Sequence, residues 1–242
     1  MLSTHIARFG GFETFSSTFG RKHLGVNINS ETADELIRGV TLKIRQNVES
    51  GISPLSSEST FRFLFAWELG RANEFSPDYR FDFEWNAYSS LDSEDTFLDL
   101  LVYTDPTFKV ALEFKLPKSS DFHMTNSTQT RAKICRDISR LNYLVRKQLN
   151  SIRLGYFLCA TNEGAYLTEG RKTSNIQYKT YNGTAYQPNE MIPKGRPPNG
   201  IQRDLLFPNH IVRFEWEGTE STRNRLQMKG RFAWLTPIRI SG

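Results

Sequence analysis

Asp99, Glu113 and Lys115 are charged residues set in a stretch that otherwise reads as buried, TFLDLLVYTDPTFKVALEFKLPK over residues 96–118. The pattern predicts two apolar strands, Thr96–Tyr103 and Phe108–Leu116, joined by a turn at Thr104, Asp105 and Pro106. Charges in such strands cost several kcal/mol, roughly, unless a partner or a metal meets them. Strand alternation puts Glu113 and Lys115 on one face and Phe114 on the other. An Asp on the neighbouring strand can lean toward that same face, so two carboxylates and an ammonium would converge on one point. The bland reading is an edge strand carrying a solvated Glu–Lys pair.

The spacing Asp-x13-Glu-x-Lys across a hairpin resembles the PD-(D/E)XK nuclease superfamily, whose fold is the restriction-endonuclease-like one. The resemblance covers roughly residues 60–160, and Leu98 stands where the family pattern has a proline before the Asp. It implies that Asp99 and Glu113 bind Mg²⁺, with Mn²⁺ as a substitute, and that the Phe114 backbone carbonyl is a further ligand. Lys115 would hold the attacking water and stabilise charge at the scissile phosphate. Hard oxygen ligands suit these cations better than zinc. The implied activity is a Mg²⁺-dependent endonuclease acting on duplex DNA, with RNA or branched DNA as other substrates. The competing expectation is a non-catalytic nucleic-acid-binding or assembly module with the same fold. Many members of the family cut as homodimers, so a homodimer is also expected.

Elements must bring these residues together. Ser30 reads as the N-cap of a first helix running to about Val48, with Leu36, Ile37, Val40 and Ile44 on one face. Ser57 or Ser59 caps a second helix, Thr60–Asn73. On it Phe61, Leu64, Phe65, Glu68 and Ala72 fall within about 80° of arc, so Glu68 sits in an apolar face. The family often draws one more acid from this helix, and Glu68 is expected as that acid, also as a metal ligand. Its alternative is a core Glu paired with Arg80 or another arginine. Arg80–Tyr88 alternates aromatic and charged residues as a first strand. Asp92, Glu94, Asp95 and His123 lie in polar loops and read as solvated rather than ligating.

A third helix, from about Gln129 to Asn150, carries Lys133, Arg136, Arg140 and Lys147 nearly opposite its apolar face. A basic stripe of this kind suits a phosphate-facing surface. Asp137 lies beside the stripe and pairs with it. Arg153–Ala160 then predicts a fourth strand placed beside the Glu113 strand by a crossover.

The expected fold is therefore α/β: a central mixed sheet flanked by helices, a restriction-endonuclease-like core and a β-rich C-terminal extension. The expected organisation is an N-terminal arm and helix over 1–57, the core over 58–165, and a basic extension over 166–242 packed on the same domain. Net charge is +5, and the positive excess lies in the last third. There Lys172 and Lys179 are interleaved with tyrosines, as suits nucleic-acid contact. Two strand-like segments, 210–217 and 231–240, predict a C-terminal hairpin. The N-terminus shows no secretory pattern and no apolar run has membrane-spanning length, so no membrane partner is expected. The two cysteines, Cys135 and Cys159, lack metal-ligand spacing and read as reduced residues of a cytoplasmic protein.

Overall fold

The computed structural model describes residues 28–71, 79–89, 91, 96–119, 127–169, 178–191, 206–218 and 231–242. Helix α1 (Ala33–Glu49) and helix α2 (Glu58–Arg71) precede strands β1 (Arg80–Asn86), β2 (Phe97–Asp105) and β3 (Phe108–Lys115). Helix α3 (Ser127–Lys147) leads to β4 (Ile152–Thr161), followed by β5 (Thr184–Tyr186), β6 (Val212–Phe214), β7 (Trp216–Glu217), β8 (Ala233–Leu235) and β9 (Ile238–Ser241). Strands β1, β2 and β3 form an antiparallel meander, and β4 joins β3 in parallel. A parallel neighbour needs a crossover, which α3 provides. The sheet is thus mixed and seven-stranded, with β5 and β6 forming a separate pair.

Alternation along β3 separates two cores. Val110, Leu112 and Phe114 pack with Ile37, Ile44, Phe61 and Phe65 of α1 and α2. Ala111 packs with Ile134, Ile138 and Leu141 of α3. The α1–α2 layer and α3 therefore cover opposite faces of the sheet. Burying each of these large apolar side chains contributes about 1.5–3 kcal/mol. Phe114 is held edge-on by Phe61 and Phe65, with ring centroids 5.1 and 5.5 Å away. On β4, Gly155 lets α3 lie close: an added Cβ would stand 3.4 Å from Leu141 Cβ.

The C-terminal segments differ from a simple hairpin. β7 and β8 do pair, but β8 and β9 both add to β4, so the end of the chain completes the central sheet. Each segment also breaks in the middle. β6 turns away to pair with β5, and Thr236 and Pro237 separate β8 from β9. The first helix begins later than Ser30. Asn29 Oδ1 takes the backbone N–H groups of Glu31 and Thr32 (2.9 and 3.1 Å), so an Asx turn leads into α1.

Helix α2 is apolar nearly all round. Phe61, Phe65, Ala66 and Leu69 are buried, whereas Phe63 and Trp67 are 61% and 54% exposed. Cys135 and Cys159 are both buried and unbridged. Among the described residues, no helix is long and apolar enough to cross a membrane.

Candidate active site

Strands β2 and β3 part at the carboxyl end of β3, and the parting is made by a side chain. Their last paired residues there are Leu100 and Leu112. One step further, Asp99 and Glu113 would face each other. Instead of a ladder bond, Asp99 Oδ2 accepts the backbone N–H of Phe114 at 2.7 Å. Asp99 Oδ1 accepts from Arg62 Nη1 of α2 at 3.2 Å. Arg62 also reaches Glu84 at 3.3 Å, on the edge strand, where Glu84 adopts φ +51°.

Glu113 and Lys115 follow Ala111 on the α3 face of β3. Glu113 is 3% exposed, and Tyr88 donates its hydroxyl to Glu113 Oε1 at 2.8 Å. Tyr88 is itself fully buried under Arg140, whose guanidinium lies 3.7 Å from the ring centroid. Lys115 Nζ stands 3.2 Å from Glu58 Oε1 at the start of α2 and 3.0 Å from Asp137 Oδ2 on α3. It also donates to the Phe114 carbonyl at 3.1 Å. The end of β3 is thereby tied to both helical layers. The chain leaving β3 is pinned as well, since Thr161 donates its hydroxyl to the Pro117 carbonyl at 2.7 Å.

These groups open into one cleft of about 360 Å³, lined by Glu58, Asp99, Glu113 and Lys115 on one side. Lys133, Arg136, Asp137 and Arg140 of α3 line the other, with Phe97 at the sheet edge. The acids and bases set each other's charge. Burial, then the charges of Asp99 and Asp137, push the Glu113 carboxyl well above its ordinary value of 4.5. Burial opposes the charge on Lys115. Asp137, Glu58, Glu113 and Asp99 outweigh that effect and hold its pKa well above the usual amine value, so it stays an ammonium. Burial also raises Asp137, but Lys115, Arg140 and Arg136 overcome it, leaving the carboxyl below its ordinary value.

Asp99, Glu113 and Lys115 are brought together in this cleft, with the Phe114 backbone beside them. Glu68 is not. It is buried in the contact of α2 with α1, where Asn47 Nδ2 donates to it at 3.1 Å and Arg71 lies 4.0 Å away. The expectation that Glu68 joins the site is therefore corrected. A buried carboxylate needs a donor or a cation, and Asn47 of α1 and Arg71 of α2 meet it. The acid of α2 that lines the cleft is Glu58, in the first turn. Its sequence signal is faint, because an acid at a helix N-terminus is what the dipole favours anyway.

The basic stripe of α3 is also redrawn. Lys133, Arg136 and Arg140 line the cleft, but Arg140 is 2% exposed rather than solvent-facing. Its guanidinium is absorbed by Tyr88, Asp137 and the Phe97 carbonyl. Lys147 is exposed in the last turn and does not line the cleft, and neither does Lys179, also exposed. Lys172, His123, Asp92, Glu94 and Asp95 lie outside the described residues.

Among the described residues, no group of three or more His, Cys, Asp and Glu side chains is arranged to hold a metal ion. The donors that do converge, two strand carboxylates and a backbone carbonyl, are hard oxygens with spare lone pairs. Burial, and after it the neighbouring acid charges, lift Glu113, and a divalent cation would offset both, so the residues fit such an ion. Comparison with protein-family models, with curated proteins and with solved structures finds no match to this chain.

Proposed function

We propose that this protein is a metal-dependent phosphodiester hydrolase, and within that class a Mg²⁺-dependent endonuclease acting on duplex DNA. One observation carries the reading. Two acids and an ammonium from neighbouring strand positions share a cleft whose opposite wall is Lys133, Arg136 and Arg140. Asp99, Glu113 and the Phe114 carbonyl would hold Mg²⁺ or Mn²⁺, as the PD-(D/E)XK resemblance implies. A cation there supplies Lewis acidity and a template for in-line attack.

The chain's own residues do the rest. Lys115, held as an ammonium, orients water by donating to it and offsets charge gathering at phosphorus. Arg62 and the Phe114 N–H fix the Asp99 carboxylate in one orientation, and the Tyr88 hydroxyl does the same for Glu113. Lys133 and Arg136 draw the phosphate backbone into the cleft.

The test is cleavage of supercoiled plasmid with Mg²⁺, Mn²⁺ or EDTA, comparing the native protein with Lys115→Ala and Asp99→Ala. Nicking or linearisation that needs the metal and both side chains is expected. Equal activity in all three proteins, or none in any across duplex, single-stranded and RNA substrates, would remove the catalytic reading. A second reading, a non-catalytic nucleic-acid-binding module, draws on the way Glu58 and Asp137 already occupy Lys115. Gel-shift binding without cleavage, unaffected by Asp99→Ala, would favour it.

A further inference from the structure

Asp137 has an unusual place in this cleft. Its side chain is 2% exposed, yet three cations from two elements converge on it. Lys115 Nζ of β3 lies 3.0 Å from Oδ2, while Arg140 Nη1 and Arg136 Nε of α3 lie 3.4 and 3.9 Å from Oδ1. All three cations line the cleft, as Asp137 does. Three like charges brought this close repel one another strongly where solvent is excluded. Lys115 has Glu58 as a second anchor and Arg140 has Tyr88 and the Phe97 carbonyl. Asp137 meets all three.

We propose that Asp137 is an internal counter-anion: it holds Lys115, Arg136 and Arg140 converged in the free protein, in place of the phosphate charge that Lys115 and Arg136 receive from substrate. It is a positioning residue, acting through the cations and not on the reacting atoms. Its two effects oppose each other. It keeps the cations aimed before substrate arrives, which lowers the reorganisation needed at the chemical step. It also competes with an incoming phosphate for them, which weakens binding of substrate and product. The assignment of phosphate as the incoming group rests on the phosphodiesterase reading.

Replacing the carboxylate by its isosteric amide separates the two effects. Asp137→Asn keeps the shape and an oxygen for Arg140 but removes the charge. Inorganic pyrophosphate in EDTA, followed by titration calorimetry, reads the cleft without depending on DNA or on cleavage. About fivefold or more tighter pyrophosphate binding is expected for Asp137→Asn than for the native protein, with Asp137→Glu returning toward native affinity. With plasmid and Mg²⁺, the same amide variant should show lower KM and a kcat reduced by about a hundredfold. A residue that only supports the fold would lose affinity and turnover together.

Pyrophosphate binding that is equal, weaker or undetectable in folded Asp137→Asn would overturn the proposal. Should that variant not fold, Lys115→Met combined with Asp137→Asn removes one charge of each sign. It should fold if charge balance is what Asp137 provides, and its failure to fold would overturn the proposal too. If pyrophosphate binding responds as expected but no protein cleaves any nucleic acid, the counter-anion role stands and the nuclease reading falls.

Discussion

Glu113 and Glu68 are both buried glutamates, 3% and 8% exposed, in regions on opposite faces of the same sheet. Glu68 sits between α1 and α2, where an Asn47 amide and Arg71 meet it. Glu113 sits where β2 and β3 part, with the Tyr88 hydroxyl donating to it and Asp99 and Asp137 adding negative charge that Arg140 and Lys115 offset in part. The first arrangement is self-contained and does structural work. The second combines burial with two neighbouring acid charges, and a cleft opens onto it. Burial alone therefore does not single out a candidate site carboxylate; like charge beside an opening is the further sign that sets Glu113 apart from Glu68.

The comparison is broken most severely by removing charge from the cleft. Lys115→Ala or Glu113→Gln should lower plasmid cleavage by about a hundredfold or more, whereas Glu68→Gln should leave it within about twofold. Loss of cleavage in Glu68→Gln at unchanged thermal stability would erase the distinction.

Stability should separate the two glutamates in the opposite sense. The folded protein holds the Glu113 proton more tightly than the unfolded chain does. The stability this contributes is full below the ordinary carboxyl value of 4.5 and is lost as pH rises through the raised folded value. Glu113→Gln cannot ionise, so its melting temperature should exceed the native one by roughly a few degrees at neutral pH. The gap should close toward pH 4 and shrink again when Mg²⁺ is added. Melting curves across pH, with and without the metal, check both parts.

In the other region, Glu68→Gln and Asn47→Ala should each cost about 0.5–1.5 kcal/mol, since each weakens one hydrogen bond without leaving a charge stranded. Chemical denaturation measures this, and a much larger loss for Asn47→Ala would mean that Glu68 depends on it alone. The smallest effect is expected at Lys147, exposed and away from the cleft lining. Lys147→Ala should change DNA affinity less than Lys133→Ala, which removes a cleft cation and should flatten the salt dependence of binding by about one charge.

Asp99, Glu113 and Lys115 were legible because a charge in an apolar strand is conspicuous, and period-two alternation states which charges share a face. Helix α3 and the parallel β4 were legible from the order of apolar periods. The partners were not. Asp137 stands in the sequence among basic residues and looks like a surface pairing. Tyr88 closes the expected first strand, and Glu58 falls between the two candidate N-caps, before the expected start of the second helix. Glu68 was conspicuous and sits elsewhere, because helical periodicity shows that a face is buried without showing against what.

The sequence by itself determined the first four strands, the three helices and the trio of charges, since these depend on local period and residue type. Which helix end reaches the cleft, which arginine is buried under an aromatic ring and which strand completes the sheet were decided only in the tertiary structure. Those outcomes depend on contacts between residues far apart in the chain, such as Lys115 with Glu58 and Asp137, or β9 with β4. No short window of sequence contains both partners of such a contact.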